Sequence, residues 1–398
     1  MRQCLLLGIP LVLALGSATP GWCQQSLLEE RMEVRHDEAM FTVWAWITVA
    51  DTTGSHTGGW SPVKRHVQQA VLDRLSPAYL DTLRRAYYEQ EPDPDFHYQI
   101  TVLALLLTQP PDMRISRDMM EREKEWARSH GRERYLSNLK DKEAQAAELL
   151  PLLNAFHSRA ELGQLYEECR RWYDPAVAAY KDGTIGRVRE ALDYLGMDES
   201  VLAPISHMVL IPNLIGPLGS AMSPGFEGVT FTVESPMEDA AERPINFTAH
   251  EQIHFMVWDL TRGERYRQRI EGITARVWDD AEGSPARGAY GDMVTYFDEN
   301  LVRVITSAAM GIFEGVDPWD PDAAGISAHE QRGFLLLRPL LAALQRFEGS
   351  GESFDTYFPT FLDDVERAMA ARSPTVPSSP RLLDTIGRGV VVPRTSRR

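Results

Sequence analysis

From Leu27 to about Leu195 the apolar positions recur at helical spacing almost without a break. Met40 to Val49 is an aromatic, apolar segment, and a Gly/Ser/Thr loop follows from Asp51 to Pro62. Val63–Leu75, Pro77–Glu89 and Phe96–Leu107 then read as helices separated at prolines. Arg117 to Leu150 is densely charged, yet Leu136, Leu139, Ala146 and Leu150 share one side, so the charges form a solvated face. The texture changes near Gly196. Ile205 to Ile215 is β-like, a Gly/Pro/Ser loop spans Gly216 to Gly225, and Gly228 to Glu234 alternates with period two. That alternation turns Val229, Phe231 and Val233 inward and Thr230, Thr232 and Glu234 outward. It predicts an edge strand whose free backbone groups could take up an extended peptide. Phe247 to Leu260 reads as an unbroken helix, and Arg262 to Gly291 as polar, glycine-rich loops. Tyr290 to Phe313 carries a stripe of Val294, Phe297, Leu301, Ile305, Ala308 and Ile312, and Gly333–Phe347 and Phe354–Ala371 read as closing helices. The fold class expected is α+β, predominantly α, with a small β-sheet packed against a helical N-terminal region.

The two ends of the chain read differently. Met1 to Cys23 has one charge, Arg2, and an apolar run from Leu5 to Leu15 that is too short for a bilayer core of about 30 Å. Small residues follow, the layout of a secretory signal peptide cleaved after Ala18 or Cys23. Export to the periplasm or beyond is the expectation, with no stable membrane span once the signal is removed. Residues 373–398 are rich in Pro, Ser and Arg and have little core potential, the composition of a disordered tail. Four parts follow: a signal peptide over 1–23, a helical region over 27–195, a second domain over 196–372 and a tail over 373–398.

Composition narrows the partners. The 398 residues carry a formal net charge of −16, and the basic residues are scattered, which argues against nucleic acid. Cys4, Cys23 and Cys169 are the three cysteines, so a disulfide framework is not expected, and Cys169 reads as a buried bystander.

The chemistry concentrates in His250-Glu251-Gln252-Ile253-His254. On a helix this His-Glu-x-x-His spacing sets two imidazoles on one face a turn apart, where both can reach one zinc ion. Glu251 then stands beside the ion, placed to take a proton from water. The plain alternative is a pair of hydrogen-bonded core histidines. Val257 and Leu260 exclude the version that uses a third histidine farther along the same helix. A glutamate from a second helix is the other solution, and Glu299 fits best, next to the apolar stripe with Arg303 one turn on. Asp298, Glu271, Asp279, Asp280 and Asp292 are the alternatives. Donors for an oxyanion are Tyr290, Tyr296, Arg303 or His329. His329-Glu330-Gln331 copies the start of the metal motif, but Gly333 stands where the second histidine belongs.

His250-Glu251-x-x-His254 followed by Glu299-Asn-Leu-Val-Arg303 resembles a bacterial domain-of-unknown-function family grouped with gluzincin metallopeptidases, in which a Glu-x-Leu-Val-Arg helix supplies the third ligand. Phe41-Thr-Val-Trp-Ala-Trp46 and Val209-Leu-Ile-Pro-Asn213 are also similar, so the resemblance spans most of the mature chain. It implies a zincin-like domain holding Zn2+ through His250, His254 and Glu299, with Glu251 as catalytic base acting on peptide or protein substrates. A zinc-binding but catalytically idle envelope protein is the alternative. The chain departs from thermolysin-like gluzincins at Arg303, where an acidic residue is usual. The carboxylate that steadies a zinc-bound histidine must therefore come from elsewhere.

Overall fold

The computed structural model describes residues 26–52, 61–90, 96–129, 133–203, 205–217, 221–222, 225–226, 229–235, 245–314, 319–320 and 326–371. The stretches expected to be a signal peptide (1–23) and a tail (373–398), and most of the 51–62 loop, lie outside them.

The chain opens with α1 (Leu27–Arg31), β1 (Met32–Val34) and α2 (Glu38–Ala50). Every residue from Ala39 to Ala50 is buried, because this helix has no polar face to give to solvent. It is therefore wrapped by α3 (Pro62–Arg74), α4 (Pro77–Glu89), α5 (Phe96–Leu105), α7 (Glu133–Arg159) and α8 (Leu162–Leu195), while α6 (Arg117–Ser129) packs on α7. Asp37 caps α2 by accepting from the Met40 amide at 2.8 Å, and Trp46 Nε1 donates to the Leu83 carbonyl at 3.1 Å.

The long α8 serves two cores. Leu165, Tyr166, Cys169 and Tyr173 join the α2 core, whereas Ile185, Val188, Ala191, Leu192 and Leu195 join the second one. Pro175 lies between the two sets. At 34 residues the helix is about 50 Å long, enough to run beneath both. It ends at Gly196, whose φ of 61° is the left-handed cap that glycine adopts without a Cβ clash. That cap is the change of texture seen in the sequence.

The sheet lies between the cores. β2 (His207–Pro212) pairs in parallel with β1 and with β5 (Val229–Glu234), with Val209 opposite Phe231 and Ile211 opposite Val233. The short β3 (Ala221–Met222) and β4 (Gly225–Phe226) pair antiparallel with the other side of β5. Phe231 and Val233 join the α2 core and the partly buried Val229 packs against it, as the alternation predicts, and Val209 and Ile211 of β2 complete it. The outward face is corrected: Thr230, Thr232 and Glu234 are buried as well, at 4, 1 and 0% exposure. They face a helix, not water. β5 is also no edge strand, since it is hydrogen-bonded on both sides.

The second core is built from α9 (Ile245–Thr261), α10 (Glu264–Trp278), α12 (Met293–Glu314), α14 (Leu337–Glu348) and α15 (Phe354–Ala370), with the short α11 (Pro285–Ala289) and α13 (Ile326–Gln331) filling in. Here α10 is a second correction, because 262–291 reads as loop in the sequence. Tyr266, Ile270, Ile273 and Val277 form a buried helical stripe that the intervening arginines disguise. Among the described residues no helix is long and apolar enough to cross a membrane.

Candidate metal centre

α9 and α12 cross in the second core and bring His250, His254 and Glu299 together, with one donor atom from each lying within 4.8 Å of the others. Glu299 Oε1 is 3.5 Å from His254 Nε2, and Oε2 is 3.8 Å from His250 Nε2. Atoms that share one tetrahedral zinc at about 2.0–2.1 Å stand about 3.3 Å apart, so the two contacts to Glu299 are within a few tenths of an ångström of that spacing.

The hydrogen bonds around the rings decide which nitrogen is available. His254 Nδ1 lies 2.8 Å from Asp298 Oδ2; a carboxylate only accepts, so Nδ1 carries the proton. His250 Nδ1 lies 3.2 Å from the Thr306 hydroxyl, and that hydroxyl gives its single proton to the Val302 carbonyl at 2.7 Å. Thr306 must therefore accept, and His250 Nδ1 is again the donor. Both Nε2 atoms are left facing Glu299. Two imidazole nitrogens and one carboxylate that face one another suit a divalent cation, which would displace any proton held at His254 Nε2, and the cluster could hold one.

Electrostatics points the same way. Burial lowers the His250 pKa against the pull of Glu299, which keeps that ring neutral. For His254 burial also opposes charge, but Asp298 and Glu299 outweigh it and lift the pKa to about 9. The field that would hold a proton at His254 Nε2 equally favours a cation there. Burial works against the Glu299 carboxylate, yet His250, His254 and Arg303 together hold its pKa well below the usual range.

Asp298 is not a ligand. It is fully buried beneath His254, accepting from Thr261 Oγ1 at 2.6 Å and from Arg262 Nη2 at 2.8 Å. It is the carboxylate that fixes the His254 ring, and it stands immediately before Glu299 in sequence. The remaining alternatives also stand elsewhere. Asp292 caps α12 by accepting from the Val294 and Thr295 amides at 3.0 and 2.9 Å. Glu271 pairs with Arg267, and Asp279 and Asp280 are exposed near the end of α10. Where the gluzincin pattern has an acid, Arg303 instead bonds a Glu299 carboxylate oxygen through Nη1 and the Tyr290 hydroxyl through Nη2 at 3.1 Å.

Glu251 makes no hydrogen bond or ion pair with another described residue, while its charge bears on His250, His254, Tyr98 and Tyr290. Sequence reasoning missed Tyr98, from α5. Its side chain is 48% exposed, but close packing around the hydroxyl and then the Glu251 charge push its pKa up. Nothing in the local sequence marks it, because its nearness is made by the tertiary fold. Thr306 and Arg262 were missed too, although each stands about two turns beyond a residue of the cluster along the chain. Gln252, inside the motif, turns the other way and donates to Thr232 Oγ1 at 3.2 Å, anchoring α9 to β5.

Compared with family models, with curated proteins and with solved structures, the chain matches none of them.

Proposed function

We propose that this chain is an exported zinc-dependent hydrolase of peptide or other amide bonds, with a second domain that is zincin-like in outline. The observation that carries the reading is the convergence of two imidazole Nε2 atoms and one carboxylate on one point, beside an acid with no hydrogen-bond or ion-pair partner among the described residues. A zinc ion at this centre would supply Lewis acidity, polarising a carbonyl and acidifying water. His250, His254 and Glu299 would hold it, and Asp298 and Thr306 would fix the two rings through Nδ1. Glu251 accepts the proton of the attacking water and delivers it to the leaving amine. Export is supported by the layout of Met1 to Cys23. The test is Glu251→Gln, which should retain zinc and lose turnover of a peptide library that the wild type cleaves. A wild type that holds zinc and cleaves nothing would leave a binding protein instead.

A further inference from the structure

We propose that Tyr290 is the hydrogen-bond donor that stabilises the oxyanion in this reaction, which rests on the hydrolase reading above. As the water oxygen bonds to the carbonyl carbon, the π pair moves onto the carbonyl oxygen, and that oxygen needs a donor aimed at it. On collapse the pair returns to the C–O bond and the C–N bond breaks toward nitrogen. The nitrogen takes the proton held by Glu251, and Tyr290 keeps its own proton throughout.

Four side chains near Glu299 carry suitable protons, and the structure separates them. The Tyr296 hydroxyl is committed at both ends, donating to the Gly333 carbonyl at 2.6 Å and accepting from the Leu335 amide at 2.9 Å. Arg303 is held by Glu299 and Tyr290 and lies over the Phe334 ring at 4.1 Å. His329 packs edge-on against the same Phe334 ring, 5.7 Å between centroids; burial and then Arg303 hold its pKa down to about 4. His329 Nδ1 is buried with no hydrogen-bond partner among the described residues, so the ring stays neutral and no cation polarises its N–H as Arg303 polarises the Tyr290 hydroxyl.

Tyr290 differs from Tyr296 in having a proton to give, and from His329 in the cation that polarises it. Its hydroxyl takes part in a single hydrogen bond, accepted from Arg303 Nη2 at 3.1 Å, so its proton is not given to any described residue. Accepting from a cation polarises the O–H bond and makes it the stronger donor. The one guanidinium that holds this hydroxyl also holds Glu299, so the donor sits beside the centre by construction. Both Glu299 and Glu251 bear on it, and burial first and Glu299 second push its pKa up to about 12, so the proton stays in place at neutral pH. Tyr290 is half-buried at the end of α11, with its ring against Phe334 at 5.9 Å, which fixes its direction.

The experiment uses a matched pair of probes on the zinc-loaded protein. Benzylphosphonate offers a tetrahedral anionic head, and benzyl mercaptan offers a single sulfur with no second oxygen. Titration calorimetry on the wild type, Tyr290→Phe and His329→Gln, with zinc content measured in each, separates the outcomes. Tyr290→Phe should weaken benzylphosphonate about 10- to 100-fold while leaving zinc content and mercaptan affinity unchanged. Tyr296→Phe should lower thermal stability and leave both affinities alone. An unchanged phosphonate affinity in Tyr290→Phe overturns the proposal. So does an equal loss for both probes, a loss found in His329→Gln instead, or a wild type that does not prefer the phosphonate. A wild type without zinc removes the hydrolase reading first, and is seen in the metal content before either probe is added.

Discussion

Asp298 Oδ2 stands 2.8 Å from His254 Nδ1, while Glu299, the very next residue, faces His254 Nε2 from the other side of the ring. Two neighbouring acids thus act on opposite nitrogens of one imidazole. The first fixes the ring, and the second meets it at the candidate metal position. Asp298→Asn keeps the size of the side chain but removes the charge that Nδ1–H donates to. Zinc affinity, measured by competition with a chromophoric chelator, should fall about 10- to 100-fold with little change in secondary structure. An unaltered affinity would reduce Asp298 to a packing role.

Glu251 and Glu299 should separate cleanly. Glu251→Gln should keep the ion and lose about 100- to 10,000-fold in rate, the range for a missing general base. Glu299→Gln should fail at the earlier step, with weakened metal binding. Activity assays and metal content measured on the same two preparations check both. Equal metal loss in the two variants would contradict this division between base and ligand.

The site should also couple to folding. Any ion that binds only the folded chain stabilises it, by about 2.7 kcal/mol when its concentration is 100 times its Kd. Stripping the protein with a chelator should lower the melting temperature by a few degrees and adding zinc should restore it. The His250→Ala, His254→Ala double variant should show neither change.

The α2 core should be costly to open. Trp46 is fully buried and its indole N–H reaches the Leu83 carbonyl across the core. Trp46→Ala should destabilise by about 3–5 kcal/mol in urea titration. A cost below about 1 kcal/mol would mean that the helix is not packed as described.

Cys169 should be chemically silent while the chain is folded. Burial pushes its thiol up to about 12 from an ordinary value of 9.0, so almost no thiolate exists at pH 8. Iodoacetamide, followed by mass analysis of the Cys169 peptide, should label it only in denaturant. Rapid labelling of native protein would show that this part of α8 opens.

The cluster of His250, His254 and Glu299 was legible because its parts are local or strongly patterned. His250 and His254 are four apart on one helix, and Glu299 follows from an apolar stripe with Arg303 a turn beyond. The helices of the first half were legible from their periodicity and prolines. What failed had tertiary causes. Thr230, Thr232 and Glu234 alternate as a solvent face does, but α9 lies over them and Gln252 bonds Thr232. The strand's far side is covered by β3 and β4, each two residues long and too short to show a pattern. In α10 the arginines drown a stripe that begins at Tyr266. Asp298 reads in the sequence as a competitor of Glu299, because residues adjacent in a chain do not show which neighbouring helix each will meet.

The most direct test is the metal content of the purified chain beside Glu299→Ala, both dialysed against the same zinc-containing buffer. One zinc per wild-type chain and little in the variant is the result expected from three converging ligands. A wild type without stoichiometric zinc, or a variant that holds it equally well, would contradict the account.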